Sequence, residues 1–223
     1  MAAGRVEDAF DNAAIIVSTE QALGIFRELP LQIAVLGYDL IVNFLSMWYF
    51  WGHFPLILAF AVWAMFRHNA DYRWVRNAVF IAGGLALIGY IVFPVAPPRL
   101  LPAAGFVDTV ESAFVLKYSD SGLVNQFAAV PRMHFGFAVI VGVGLFRIVG
   151  GRRGATLMIF MPLLMLTSIV VTGNHYFLDA LFGLPPAIIG MVLATRIERQ
   201  RYVSRLRAWL MRTLRGRRPI LGV

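Results

Sequence analysis

The chain has no cysteine, which removes disulfides and thiolate metal sites and leaves the redox compartment unreadable. It is also poor in charge. Only 14% of its 223 residues are Asp, Glu, Lys or Arg, while 59% are hydrophobic; a soluble domain would carry about a quarter charged residues. There is chain enough for a core but too little polar surface to cover one in water, so the solvent for much of that surface is lipid. Lysine is nearly missing: nineteen of the twenty basic residues are arginine, and the net charge is +8. In a soluble protein that balance would suggest nucleic acid. Here the positive charge flanks apolar spans, so the membrane surface, and not nucleic acid, is the expected partner. The start, Met1–Phe10, carries acids and no apolar core, so it does not read as a secretory signal peptide, and insertion falls to later segments. No internal repeat, low-complexity tract or second domain is evident.

What is present is a series of apolar stretches. A spanning helix needs about 20 mostly apolar residues, and six candidates run over Leu31–Met47, Trp51–Phe66, Asn77–Val95, Met133–Val149, Gly154–Thr172 and Tyr176–Thr195. Pro55 falls in the first turn of the second, where proline is tolerated. The fold class expected is all-α: a polytopic membrane bundle of six transmembrane helices over residues 31–195. An interfacial N-terminal segment (1–30) precedes it and a basic amphipathic tail (196–223) follows.

Arg67–Arg76, Arg147–Arg153 and the nine-arginine tail fall on one side of such a bundle. The loops around His53, from Ala96 to Arg132, and before Tyr176 fall on the other. The positive-inside rule then places both termini in the cytoplasm and the second set of loops at the outer face. The first thirty residues, with five acids and two arginines, run against that rule. In the tail, Val203, Leu206, Leu210 and Leu214 share a face, a pattern suited to anionic lipid. The richness in arginine and alanine suits a GC-rich bacterial genome, so the membrane expected is a bacterial cytoplasmic membrane.

Polar groups near lipid are costly unless paired, and they gather in three places. In Phe93–Pro102, three prolines stiffen the backbone ahead of Arg99, whose planar fork suits phosphate oxygens; snorkelling to the interface is the plainer reading of Arg99 by itself. In Val130–Phe137, His134 falls in the first turn of the fourth span, with Arg132 two residues before it; a lone histidine there is usually interfacial. In Thr172–Asp179, His175 and Asp179 are four apart, one helical turn. A carboxylate accepting the Nδ1–H leaves Nε2 of the imidazole unprotonated and nucleophilic, although a structural pair has the same spacing. Taken together the set suits phosphoryl transfer without a metal: arginines hold the phosphate, one histidine attacks phosphorus, and the other protonates the departing oxygen.

These clusters, in this order, resemble the type 2 phosphatidic acid phosphatase superfamily, and within it the branch of inositol phosphorylceramide synthases. VPRMHFGFA is similar to the Pro-Ser-x-His motif, NHYFLDALFG to the His-x-x-x-Asp end of the third motif, and PPRLLP followed by GFVDT (Gly105–Thr109) to the first-motif region. The resemblance implies His175 as the nucleophile of a phosphohistidine intermediate, Asp179 as its orienting carboxylate, His134 as general acid and then base, and Arg99 as phosphate clamp. The chain departs from the motifs at three points: Arg132 replaces the serine, Val92 stands where the usual first motif has lysine, and Ser168-Ile169 where the third has Ser-Arg. Lys117 is a further candidate for phosphate binding.

The expected function is therefore a lipid phosphotransferase or phosphatase without cofactor or metal. It would act on a lipid or polyprenyl phosphate or phosphodiester, with water or an alcohol as acceptor. Alternatives are a non-catalytic lipid-phosphate binder, which Arg132 would favour, a transporter using Asp39 as an intramembrane carboxylate, and a metal site built from His134, His175 and Asp179. His53 is read as part of an interfacial aromatic belt with Trp48, Tyr49 and Trp51.

Overall fold

The computed structural model describes residues 5–101, 105–109 and 133–215, the last eleven by backbone alone. Among them there is no strand. The helices are α1 (Val6–Ala22), α2 (Glu28–Leu36), α3 (Asp39–Met47), α4 (His53–Arg67), α5 (Asn69–Val92), α6 (Met133–Val149), α7 (Gly151–Val171) and α8 (Phe177–Arg215). A π-turn over Trp48–Gly52 joins α3 to α4, and a 3-10 turn covers Pro98–Leu100.

Five helices, α4 to α8, run between two ends of a bundle. At one end Arg147 meets Asp71 at 3.1 Å and Arg73 meets Glu198 at 3.5 Å, while the Arg147 guanidinium lies 4.5 Å over the Trp74 ring. His134 and His175 lie at the other. Reversals between helices are tight; Gly150 and Gly151, both at positive φ (65° and 55°), turn α6 into α7 where a side chain would be strained.

Small residues let the helices approach. Ala78, Ala82 and Ala86 of α5 and Ala187 and Ala194 of α8 are wholly buried, and a Cβ on Gly190 would sit 2.5 Å from the carbonyl oxygen of Ala78. Trp74 Nε1 donates to Thr195 Oγ1 across this interface at 2.9 Å. Close backbone packing with a few polar ties is how helices associate where lipid removes the hydrophobic drive between them.

Asn69–Val92, Gly151–Val171 and Phe177–Ser204 are long and apolar enough to cross a membrane, and Phe54–Arg67 and Met133–Val149 are shorter apolar helices. The six expected spans are not found. The stretch Leu31–Met47 is broken at Gly37-Tyr38 into two helices of nine residues each. Each is about 14 Å long, under half of a hydrocarbon core of about 30 Å. Asp39 opens α3, exposed in its first turn, where a carboxylate complements the helix dipole.

The stripe Ala9, Ala13, Ile16 and Glu20 of α1 is buried, and the helix packs at the histidine end. Ala96 N donates to Ala9 O at 2.9 Å, Asn12 Nδ2 to Pro94 O at 2.8 Å, and Arg5 Nη1 caps the end of α5 at Ile91 O, 2.6 Å. Helix α8 leaves that end and carries Glu198 to the opposite one. Residue 30, the boundary expected for the N-terminal segment, falls inside α2. The tail expected to begin at residue 196 continues without a break from the last apolar stretch as one helix of 39 residues, about 58 Å along its axis.

Candidate functional site

The short connection between α7 and α8 is built around Gly173 (φ +67°). A Cβ there would lie 2.9 Å from Gln32 Nε2, so both the backbone conformation and the space call for glycine. After this turn Ile169 O receives the N–H of Asn174 and of His175, each at 3.1 Å. Thr172 O and Oγ1 receive the Asn174 amide at 3.3 and 2.8 Å. His175 is thereby fixed just before α8, fully buried. Asp179, one turn on and equally buried, places Oδ2 at 3.2 Å from His175 Nδ1 and accepts the Tyr176 N–H at 3.1 Å. The carboxylate thus holds both the ring and the backbone that carries it, and an Nδ1–H given to Asp179 leaves the lone pair on Nε2, itself buried.

His134, in the first turn of α6, stands with its ring centroid 6.1 Å from that of His175. The two imidazoles are brought together from opposite flanks of residues 135–174. Tyr49 lies beside the pair: its ring stacks on His134 at 5.0 Å and 28°, and is 6.3 Å from His175. Phe54 presents its edge to His134 at 5.2 Å and 69°.

Arg99 reaches the same end through its backbone. Its N–H donates to Gly173 O at 2.8 Å, two residues from His175, and its Nη1 pairs with Asp108 Oδ2 at 3.0 Å. Asp108 therefore holds one edge of the guanidinium. The strand-like segment around it is pinned by Gln32, fully buried, whose Nε2 donates to Val107 O and Val171 O at 2.9 and 3.0 Å and whose Oε1 accepts Val107 N at 2.9 Å. One α2 side chain so ties the Arg99–Asp108 loop to the end of α7.

Helix α8 begins at an N-terminus capped from outside. Phe177 N donates to Glu28 Oε1 at 2.8 Å and Leu178 N to Glu20 Oε1 at 2.7 Å. Both glutamates are fully buried, and Oε2 of each has no donor among the described groups. Burial first, then the hydrogen bond shared with Glu28, pushes the Glu20 carboxyl up to about 9, against the opposing pull of the Leu178 N–H. At neutral pH the Glu20 carboxyl therefore keeps its proton.

The structure thus brings together His134, His175, Asp179 and the Arg99 loop. Arg132, Lys117 and the His53 side chain lie outside the described residues. Ile169, at the place of the third-motif arginine, is wholly buried in an apolar cluster with Met165 and Val170, so no cation enters from there; Val92 is exposed on α5. Among the described residues no three His, Asp or Glu side chains are grouped as a metal would need. Sequence reasoning missed Tyr49 and Phe54, assigning the former to an aromatic belt, and missed Glu20, Glu28 and Gln32. For Glu20 a signal existed: it continues the buried spacing of Ala9, Ala13 and Ile16.

The profile of the PAP2 superfamily matches residues 14–193 of the chain. No curated protein and no solved structure matches it. The match begins inside α1 and ends within α8, so the capping glutamates and the histidine pair both fall within it.

Proposed function

Because the chain belongs to the PAP2 superfamily, whose members are in general phosphatases or phosphotransferases, we propose that it transfers a phosphoryl or phospho-headgroup from a lipid or polyprenyl carrier through a phosphohistidine at His175, without a metal. The family and the apolar helices make it a membrane protein. The observation that carries the proposal is the 6.1 Å approach of His134 to a His175 already held by Asp179. A nitrogen attacking phosphorus starts about 3 Å from it, and a nitrogen protonating the leaving oxygen lies about 3 Å from that oxygen. Two rings at this separation accommodate both.

In the first step His175 Nε2 forms a bond to phosphorus as the bond to the leaving oxygen breaks, and His134 gives that oxygen its proton. The Asp179 carboxylate balances the positive charge that grows on the His175 ring. In the second step His134, now neutral, takes the proton of the acceptor hydroxyl. The hydroxyl oxygen bonds to phosphorus and the P–N bond breaks, returning both rings to their starting states. Arg99, steered by Asp108, with Arg132 and Lys117 as the further candidates, holds the non-bridging oxygens.

The likeness of PPRLLP and GFVDT to the synthase branch favours an alcohol acceptor over water. The outer face is favoured for the site, and the position of α1 removes the one conflict with the charge rule. The acids Glu7, Asp8 and Asp11 now lie at the histidine end, while Arg67, Arg152, Arg153, Arg196 and Arg199 lie at the other.

The test is a panel of lipid and polyprenyl phosphates and phosphodiesters given to the purified protein with a chelator, with and without alcohol acceptors. Chelator-resistant turnover, with transfer to an alcohol exceeding hydrolysis, is the expected result. Saturable binding without turnover of any member would favour the non-catalytic reading that Arg132 suggests.

A further inference from the structure

Tyr49 belongs to no motif, yet it is the side chain that touches both histidines. The chain goes out of its way to put it there. Between α3 and α4 the helix widens into a π-turn over Trp48–Gly52, an insertion that re-aims side chains and recurs at functional positions. A Cβ on Gly52 would meet the Trp48 ring at 2.9 Å, so the turn closes only over a glycine. Its neighbours Phe44, Met47 and Phe54 are each more than half exposed, while Tyr49 is 2% exposed. Among the described side chains of the turn, Tyr49 is the one aromatic ring brought fully inside.

The ring's geometry is specific. Its plane lies 28° from that of His134 with centroids 5.0 Å apart, a stacked pair, while its tilt to His175 is 55° at 6.3 Å. Phe54 abuts the other aspect of His134 edge-on. An aromatic face carries negative charge density and attracts a cation laid over it. His175 has a carboxylate at Nδ1, and the rings laid against His134 are a phenol face and a phenyl edge.

We propose that Tyr49 is a positioning residue for the proton-transfer step, holding the His134 ring in the plane from which it delivers its proton to the leaving oxygen and favouring its imidazolium form, with Phe54 as the second wall. This rests on the phosphoryl-transfer reading above. The consequence is selective. A poor leaving group, such as an alkyl alcohol, departs only with a proton and needs His134; a good one, such as para-nitrophenolate, departs without it.

The experiment compares Tyr49→Leu, Tyr49→Phe and wild type on an alkyl ester and a para-nitrophenyl ester of the same phosphoryl group, following trapped phosphoenzyme and kcat. Tyr49→Leu is expected to lose about tenfold in the rate of phosphoenzyme formation from the alkyl ester and no more than about twofold in that rate from the aryl ester, with Tyr49→Phe close to wild type on both. Phe54→Leu is expected to show the same preference more weakly. Equal losses on both esters, or no loss on the alkyl ester, would overturn the assignment while leaving His175 phosphorylation standing. Wild-type protein that forms no phosphoenzyme from either ester would overturn the underlying mechanism as well.

Discussion

Replacement of His175 by glutamine is expected to abolish turnover of phosphate esters, by roughly 10⁴-fold or more, with the fold retained. The ring is fully buried against Asp179 and near Tyr49. An alanine would therefore open a cavity and leave the carboxylate without its ring partner, confusing chemistry with stability. Glutamine keeps a donor for Asp179 Oδ2 and much of the volume but has no nucleophilic nitrogen. His134→Gln should behave differently. Loss of a general acid costs about 10²–10⁴-fold, falls hardest on poor leaving groups, and leaves phosphorylation of His175 from an activated ester in place. The measurements are kcat on lipid phosphates and thermal unfolding in detergent. A His175→Gln protein that unfolds like wild type and turns over within tenfold of it contradicts the nucleophile assignment.

The second large effect concerns the glutamates that cap α8. Glu20→Ala strips the acceptor from the Leu178 N–H, a loss of about 1–3 kcal/mol for a buried donor left unpaired, and leaves Glu28 as a lone buried carboxylate. The pH dependence is more diagnostic. Unfolded, Glu20 ionises near its ordinary value of 4.5; folded, burial holds it protonated to about 9. Between those values the folded chain binds a proton that the unfolded chain has released, so stability is greatest below about 4.5. It declines as pH rises towards 9, at up to about 1.4 kcal/mol per pH unit from this group. Glu20→Gln, whose amide carbonyl still accepts from Leu178 N and whose NH2 can donate to Glu28, should flatten that decline and leave the fold near wild-type stability in mildly acid solution. Unfolding midpoints across this range would show it; a slope unchanged by Glu20→Gln would contradict the raised Glu20 carboxyl.

Much of the site could be read in the sequence because its chemistry is written in short range. His175 and Asp179 sit one helical turn apart, and a carboxylate four residues from an imidazole can do little else but meet it. Their meeting with His134 followed from the alternation of apolar stretches, which returns the chain to one end between residues 134 and 175. The first candidate span misled for a physical reason. Apolar length reports what lipid touches, and two short helices at the membrane end present apolar faces just as a crossing helix does: Leu31, Ile33, Leu40 and Phe44 are all exposed. The signal against a crossing was Gly37 followed two residues on by Asp39, a helix stop and a helix start.

Residues that act across the fold were beyond reach. Glu20 and Glu28 bond to amides some 150 positions away, and only the burial of the α1 stripe shows that its acids face inward. Tyr49 depends on a widened turn whose single extra residue rotates it out of the aromatic belt, which composition does not disclose. Gln32, likewise, is one amide in an apolar run until its three bonds to Val107 and Val171 are seen.

The central claim is tested most directly by rapid quench of the protein with a phosphorus-labelled lipid phosphate, kept alkaline, followed by peptide mapping of the label. The account predicts an acid-labile phosphate on the Nε2 of His175, formed at least as fast as turnover and absent from His175→Gln. Label on His134 instead, or steady turnover in which no labelled histidine ever forms, would contradict it.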